Sequence, residues 1–202
     1  MRLEGRNLGW RYPGGPWLFN GFSITLQPGE TVGLIGPSGS GKTSLGRILA
    51  GYMKPIGGEV SALGRNKRES NYDPVQMIFQ HPEHAVNPRW RMARTITEGW
   101  TPDAALLAAL GIHEEWLQRY PNELSGGELQ RCCIARALGP ETKFLIADEM
   151  TTMLDAITQA QIWHTVLDIV RARQIGLLVI SHDHALINKI CNRTIKLNET
   201  EK

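Results

Sequence analysis

Two short stretches of this chain carry the residue types that chemistry on a polyphosphate requires. The first is Gly36-Pro37-Ser38-Gly39-Ser40-Gly41-Lys42-Thr43, which fits the pattern GxxxxGK[ST]. Its glycines let the backbone wrap closely around a row of phosphates and adopt positive φ angles. The free N–H groups and the start of a following helix both favour negative charge. Lys42 can reach the terminal phosphates, and Thr43 can offer its hydroxyl to Mg²⁺. The second stretch is Phe144-Leu145-Ile146-Ala147-Asp148-Glu149, an apolar run closed by two acids. Asp148 would hold Mg²⁺, directly or through water, which leaves Glu149 to orient and deprotonate an attacking water.

These residues need elements to hold them. Residues 2–35 read as short strands, with Leu8, Trp10 and Tyr12 on one alternating face and Phe22, Ile24 and Leu26 on another. Turns are expected at Pro13-Gly14-Gly15-Pro16 and Gln27-Pro28-Gly29-Glu30. Thr31 to Ile35 is a short buried strand leading into the glycine-rich stretch, and Lys42 to Ala50 is helical. Gly57-Gly58 predicts a turn before a strand from Val60 to Leu63, residues 65–74 a polar loop, and Val75 to Phe79 another strand. Residues 81–139 read as a mostly helical insertion with breaks at Gly99 to Pro102, Gly111 and Tyr120 to Asn122. The rest alternates: strand Phe144 to Ala147, helix 156–173, strand Leu177 to Ile180, a short helix from Asp183, and a strand near Thr194 to Leu197. Strands alternating with helices imply a mainly parallel α/β sheet, whose carboxyl edge is where ligands bind. Both motifs fall on that edge.

The bulk properties set limits. The chain has 202 residues, enough for one domain with a core and a small inserted lobe. With 22 basic and 20 acidic residues, nothing argues for bulk binding of nucleic acid or anionic lipid. Three cysteines, two of them adjacent, fit reduced thiols in a reducing cytoplasm. Met1-Arg2-Leu3-Glu4 is strand-like, not a secretion signal, and no apolar run approaches the ~20 residues of a membrane span. A membrane role would therefore need a partner. The pairs His81/His84 and His182/His184 lack the cysteine or carboxylate company of a metal site.

A third motif narrows the reading. Leu124-Ser125-Gly126-Gly127-Glu128, followed by Leu129-Gln130-Arg131 and a helix ending near Leu138, resembles the signature motif of the ABC ATPases. It precedes the acidic strand by about twenty residues, as in that family, and the resemblance covers about residues 2–198 with each motif once and in order. The resemblance implies a P-loop NTPase (RecA-like) core with an N-terminal antiparallel β subdomain and an inserted α-helical subdomain. On that pattern residues 1–202 form one ATPase domain, with 1–80 and 140–202 as catalytic core and 81–139 as the helical subdomain. It also implies that Ser125, Gly126, Gly127 and Glu128 contact the γ-phosphate of ATP held by a second subunit. Tyr12 looks like the residue that stacks on adenine. Gln80 looks like the glutamine that senses Mg²⁺ and the γ-phosphate, Asp155 like the aspartate that communicates across the dimer, and His182 like the switch histidine.

Within the family, His81-Pro82-Glu83-His84-Ala85-Val86-Asn87-Pro88-Arg89 looks like a segment of oligopeptide, dipeptide and nickel importer ATPases. The implied partners are a second ATPase chain, the same or related, two membrane permeases and, indirectly, a solute-binding protein, with no nucleic acid. The implied place is the cytoplasmic face of the inner membrane, held peripherally. The alternative is a soluble ABC ATPase of a non-transport complex such as a carbon–phosphorus lyase assembly. Arg89, Trp90, Arg91 and Arg94 read as the rim of a docking groove for a permease helix, in preference to an RNA contact. His81 departs from the usual aspartate, and the group's usual C-terminal extension has no counterpart before Lys202, so tail functions are not carried over. Glu128 stands for the commoner glutamine, Met150 for proline, and Thr152-Met153 for Ser-Ala. The last two departures predict a bulkier interface loop with catalysis retained.

Overall fold

A computed structural model describes residues 2–62 and 72–197. The loop expected at 65–74 lies largely outside them, as does Leu63. Three strands form an antiparallel sheet in the order β2-β1-β4: β1 (Leu3–Arg11), β2 (Trp17–Leu26) and β4 (Gly57–Ala62). Five others form a parallel sheet in the order β5-β6-β7-β3-β8: β3 (Thr31–Ile35), β5 (Val75–Ile78), β6 (Phe144–Asp148), β7 (Gly176–Ile180) and β8 (Arg193–Lys196).

The central strands β6 and β7 are buried along their whole length, as a parallel sheet covered on both faces demands. Alternate side chains feed two cores. Phe144, Ile146, Leu178 and Ile180 face α1 (Lys42–Leu49) and the antiparallel sheet. Leu145, Ala147, Leu177 and Val179 face the helical side of the molecule. There α5 (Gly126–Ala137) and α6 (Ala156–Ala172) supply Ile134, Ile162 and Val166. Gly46 lets α1 lie close on the sheet, since a Cβ there would sit 2.9 Å from the Ile180 side chain.

Between β5 and β6 the chain is helical in short pieces: α2 (Met92–Ile96), α3 (Ala104–Ala109), α4 (Glu114–Leu117) and α5, with single 3-10 turns at Pro82–Ala85 and Pro121–Glu123. Helices this short are unstable alone. Met92, Leu106, Leu110 and Trp116 bury them against α5, and Asp103 caps α3 through the N–H of Leu106. The last helix is α7 (His184–Ile190), capped by Asp183. Among the described residues no helix is long and apolar enough to cross a membrane.

Three local expectations are corrected. Leu8 and Trp10 pack on the same core as expected, but Tyr12 lies beyond the strand, and ahead of them Asn7, at φ 49°, makes a bulge held by the Ser23 hydroxyl at 3.0 Å. Gly57-Gly58 is not a turn but the start of β4, paired to β1. A Cβ on Gly58 would lie 2.1 Å from the Arg6 carbonyl oxygen, so the pairing itself demands glycine. Met150 does not swell the surface: it is 2 % exposed and sits in the core, whereas Met153 stands out at 63 %.

Candidate functional site

The parallel sheet brings its motifs to one edge. The loop 36–41 leaves the end of β3 and enters α1, with Gly39 and Gly41 in the left-handed region at φ 81° and 93°. Gly36 is pressed against the far end of the chain, where a Cβ would meet the Leu197 carbonyl at 2.6 Å. Lys42 is buried, and its Nζ donates to the carbonyls of Gly36 and Pro37, each at 2.9 Å. Pro37 also accepts the N–H of Ser40 at 3.2 Å, and Ser38 and Gly39 are exposed at the tip. The Ser40 hydroxyl is buried without a hydrogen-bond partner. An open cradle of glycine backbone, a buried lysine and a spare hydroxyl fit a bound polyphosphate.

Asp148 ends β6 beside this loop. Thr43 Oγ1 donates to its Oδ1 at 3.1 Å, which joins the two motifs across the sheet. Burial raises the Asp148 carboxyl above the usual aspartate range, against the lowering effect of the Thr43 hydroxyl. A buried carboxylate next to a hydroxyl is a pair of hard oxygen donors, the chemistry that suits Mg²⁺.

Glu149 follows in a left-handed conformation, φ 47°, unusual for a residue with a side chain. Its N–H donates to the Ile180 carbonyl at 2.9 Å. The carboxylate is held from two sides: Gln80 Nε2 donates to Oε2 at 3.1 Å, and His182 Nδ1 lies 3.3 Å from Oε1. Gln80 comes from the end of β5, His182 from the end of β7 and Glu149 from β6, so three strand ends converge on one carboxylate. The sequence reading did not single out Ser181, whose buried hydroxyl accepts the N–H of Asp183 at 3.0 Å and folds His182 back. The signal was its place between a buried strand and a capped helix.

Ser125 and Glu128 form a reciprocal cap on α5: the Glu128 N–H donates to Ser125 Oγ at 3.3 Å, and the Ser125 N–H to Glu128 Oε2 at 2.7 Å. A Cβ on Gly126 would meet nothing, so this helix start is open to an incoming anion. Among the described residues no hydrogen bond or ion pair joins Ser125, Gly126, Gly127 or Glu128 to the loop 36–43. Asp155 caps α6 through the N–H groups of Ile157 and Thr158, at 3.0 and 2.9 Å. Tyr12 is 57 % exposed, with its ring edge-on to Trp10 at 6.3 Å.

The other expected features fall elsewhere. A groove of about 600 Å³ runs between the sheet edge and the helices, lined by Tyr52, Phe79, Pro82, Glu98, Cys133 and Arg136 among others. Arg89, Trp90, Arg91 and Arg94, read as the rim of a docking groove, are not among the residues that line this one. Arg94 stacks on Trp90 at 3.9 Å, and Arg91 lies over Tyr120 and donates to the Gln118 carbonyl. Burial pushes the Cys132 thiol up to about 12 and the Cys133 thiol up to about 11, so both stay protonated inside α5. His81 pairs with Glu83 at 3.1 Å, and no metal-ligating cluster occurs among the described residues.

Comparison with known proteins agrees with this arrangement. Residues 19–152 match the ABC transporter family. The chain is 39% identical over 196 residues to the nickel import ATP-binding protein NikE of Rhodospirillum rubrum, covering 88% of this chain and 71% of that protein. It is 40% identical over 190 residues to the glutathione import ATP-binding protein GsiA of Escherichia coli, of whose length it spans 30%. The fold superposes on the dimeric ABC transporter cassette MJ0796 with a TM-score of 0.80 at 22% identity, covering 97% of this chain and 94% of that one. This chain belongs to the ABC transporter family, as one of its nucleotide-binding cassettes.

Proposed function

We propose that this chain is the ATP-hydrolysing subunit of an importer and acts as one half of a two-chain motor. The observation that carries the reading is the convergence of Gln80, Glu149 and His182 beside the Thr43–Asp148 pair, at the mouth of the phosphate loop. Residues 36–43 grip the phosphates of ATP, with Lys42 leaving its two carbonyl partners for the terminal phosphates. Tyr12 stacks on the adenine. Thr43, Asp148 and Gln80 would hold Mg²⁺, which would supply charge neutralisation at the phosphates when bound. Glu149 orients the attacking water and accepts its proton, while Gln80 and His182 fix that carboxylate and sense the γ-phosphate.

Ser125, Gly126, Gly127 and Glu128 serve the ATP of the opposite chain, and Asp155 reports on it. Two chains, identical or related, then close around shared nucleotides and reopen after hydrolysis. Residues 1–80 and 140–202 form the catalytic core with its β subdomain. Residues 81–139 form a helical subdomain that passes the motion to two permeases at the cytoplasmic face of the inner membrane, where the chain is peripheral. A solute-binding protein supplies the cargo. The names of the relatives, nickel and glutathione importers, favour a peptide, nickel or metal-chelate cargo over a soluble non-transport complex.

Two variants test the reading. Glu149→Gln should bind MgATP, accumulate as a dimer and lose about a hundredfold or more in turnover. Lys42→Ala should weaken nucleotide binding itself. Undiminished hydrolysis by Glu149→Gln, measured as phosphate release, would remove Glu149 from its role.

A further inference from the structure

The turn that carries Glu149 into α6 is held in an unusual way. Both backbone groups of Glu149 are engaged: its N–H by the Ile180 carbonyl at 2.9 Å, and its carbonyl by the N–H of Thr152 at 3.1 Å. The next turn closes with the Leu154 N–H on the Thr151 carbonyl at 3.1 Å. On one side Met150 is sunk into the core. The turn also borders a cavity of about 140 Å³ lined by Glu149, Met150, Thr151, Trp163 and His182 among others. Beside it lies a buried contact from the turn to the neighbouring helix. The indole N–H of Trp163, on α6, donates to Thr151 Oγ1 at 3.0 Å, and both residues are buried.

The turn is thus tied to α6 twice, by Asp155 capping the helix and by Thr151 bonding to its third turn. Where a turn borders open space, a buried, directional hydrogen bond adds to the positioning that side-chain packing gives. A left-handed glutamate persists only when its surroundings over-determine it. We infer that Trp163 is a positioning residue for hydrolysis: by holding Thr151 it sets the turn that aims the Glu149 carboxylate. This rests on the proposed role of Glu149 as the base that activates water.

The test pairs kinetics with an exchange measurement on the full chain. Trp163→Phe keeps most of the ring and removes the donor, and Thr151→Val keeps the shape and removes the acceptor. Each should lower kcat for ATP about tenfold or more while KM changes less than about twofold. The double variant should be no worse than either single, because both remove the same bond. Thr151→Ser, which keeps the hydroxyl, should restore kcat. Amide exchange in residues 149–154 should be faster in both single variants, with or without nucleotide. Wild-type exchange in that segment, wild-type kcat in Trp163→Phe, or additive losses in the double variant would overturn the inference. Absence of hydrolysis in the wild-type chain would instead overturn the proposed function, and the exchange result would still decide the role of Trp163.

Discussion

At the level of single residues, Asp148 shows what the site costs the fold. Burial lifts its carboxyl above the ordinary aspartate value of 3.8, so the unfolded chain ionises it first. Between the ordinary and the raised value the folded chain holds the extra proton, and stability falls as pH rises. At neutral pH the folded molecule bears that cost in full. Asp148→Asn removes the charge and still offers an oxygen to Thr43. It should raise the thermal unfolding midpoint by ~2–4 °C near neutral pH, and the gain should shrink as pH is lowered toward the ordinary aspartate range. Hydrolysis should fall about a hundredfold or more in the same variant. A midpoint that drops, or a gain that grows on acidification, would contradict this account. Glu149 is different in kind: three strand ends meet at its carboxylate, so its environment is defined by position more than by burial.

At the level of elements, Ser125 combines two tasks that substitutions can separate. Its hydroxyl caps α5, and the open helix start beside it is the proposed anion site. Ser125→Ala should lose about 1 kcal/mol of stability through the missing cap. Ser125→Asp should keep the cap, since a carboxylate accepts the same N–H, yet repel a phosphate and abolish nucleotide-driven dimerisation. Thermal unfolding and sizing of the two variants read these effects independently. The elements also mark where sequence is a sufficient guide. Thr31–Ile35 and Phe144–Asp148 are legible because apolar runs end sharply at glycines or acids. The bulge at Asn7 is not legible, because it depends on Ser23 across the sheet. Gly57-Gly58 reads as a turn from composition alone, whereas only the approach of β1 explains those glycines. Met150 is buried one residue after the left-handed Glu149, and no local pattern encodes that. Trp163 escapes a motif search for the same reason: its partner is chosen by the packing of α6.

At the level of the whole molecule, Met153 and Ile157 stand out, 63 % and 73 % exposed beside the turn that leads into α6. Apolar side chains in such a place fit a surface that becomes covered, which in the proposed two-chain motor would be by the second chain. Ile157→Glu in the Glu149→Gln background should weaken MgATP-dependent dimerisation about tenfold or more and leave nucleotide binding by the monomer within about twofold. Sedimentation and equilibrium binding would measure the two; equal dimerisation would place this surface outside the interface. The sheet order has a consequence of its own. The strand that launches the phosphate loop, β3, lies between β7 and β8, and its Thr31 N–H is bound by Asn192, 161 residues later, at 2.8 Å. Leu197 then closes against Gly36. A ribosome makes the loop early and its flanking strands late. A nascent chain that has released residues 36–43 but not yet residues 176–197 therefore carries its phosphate loop without the two strands that wall it in the finished fold.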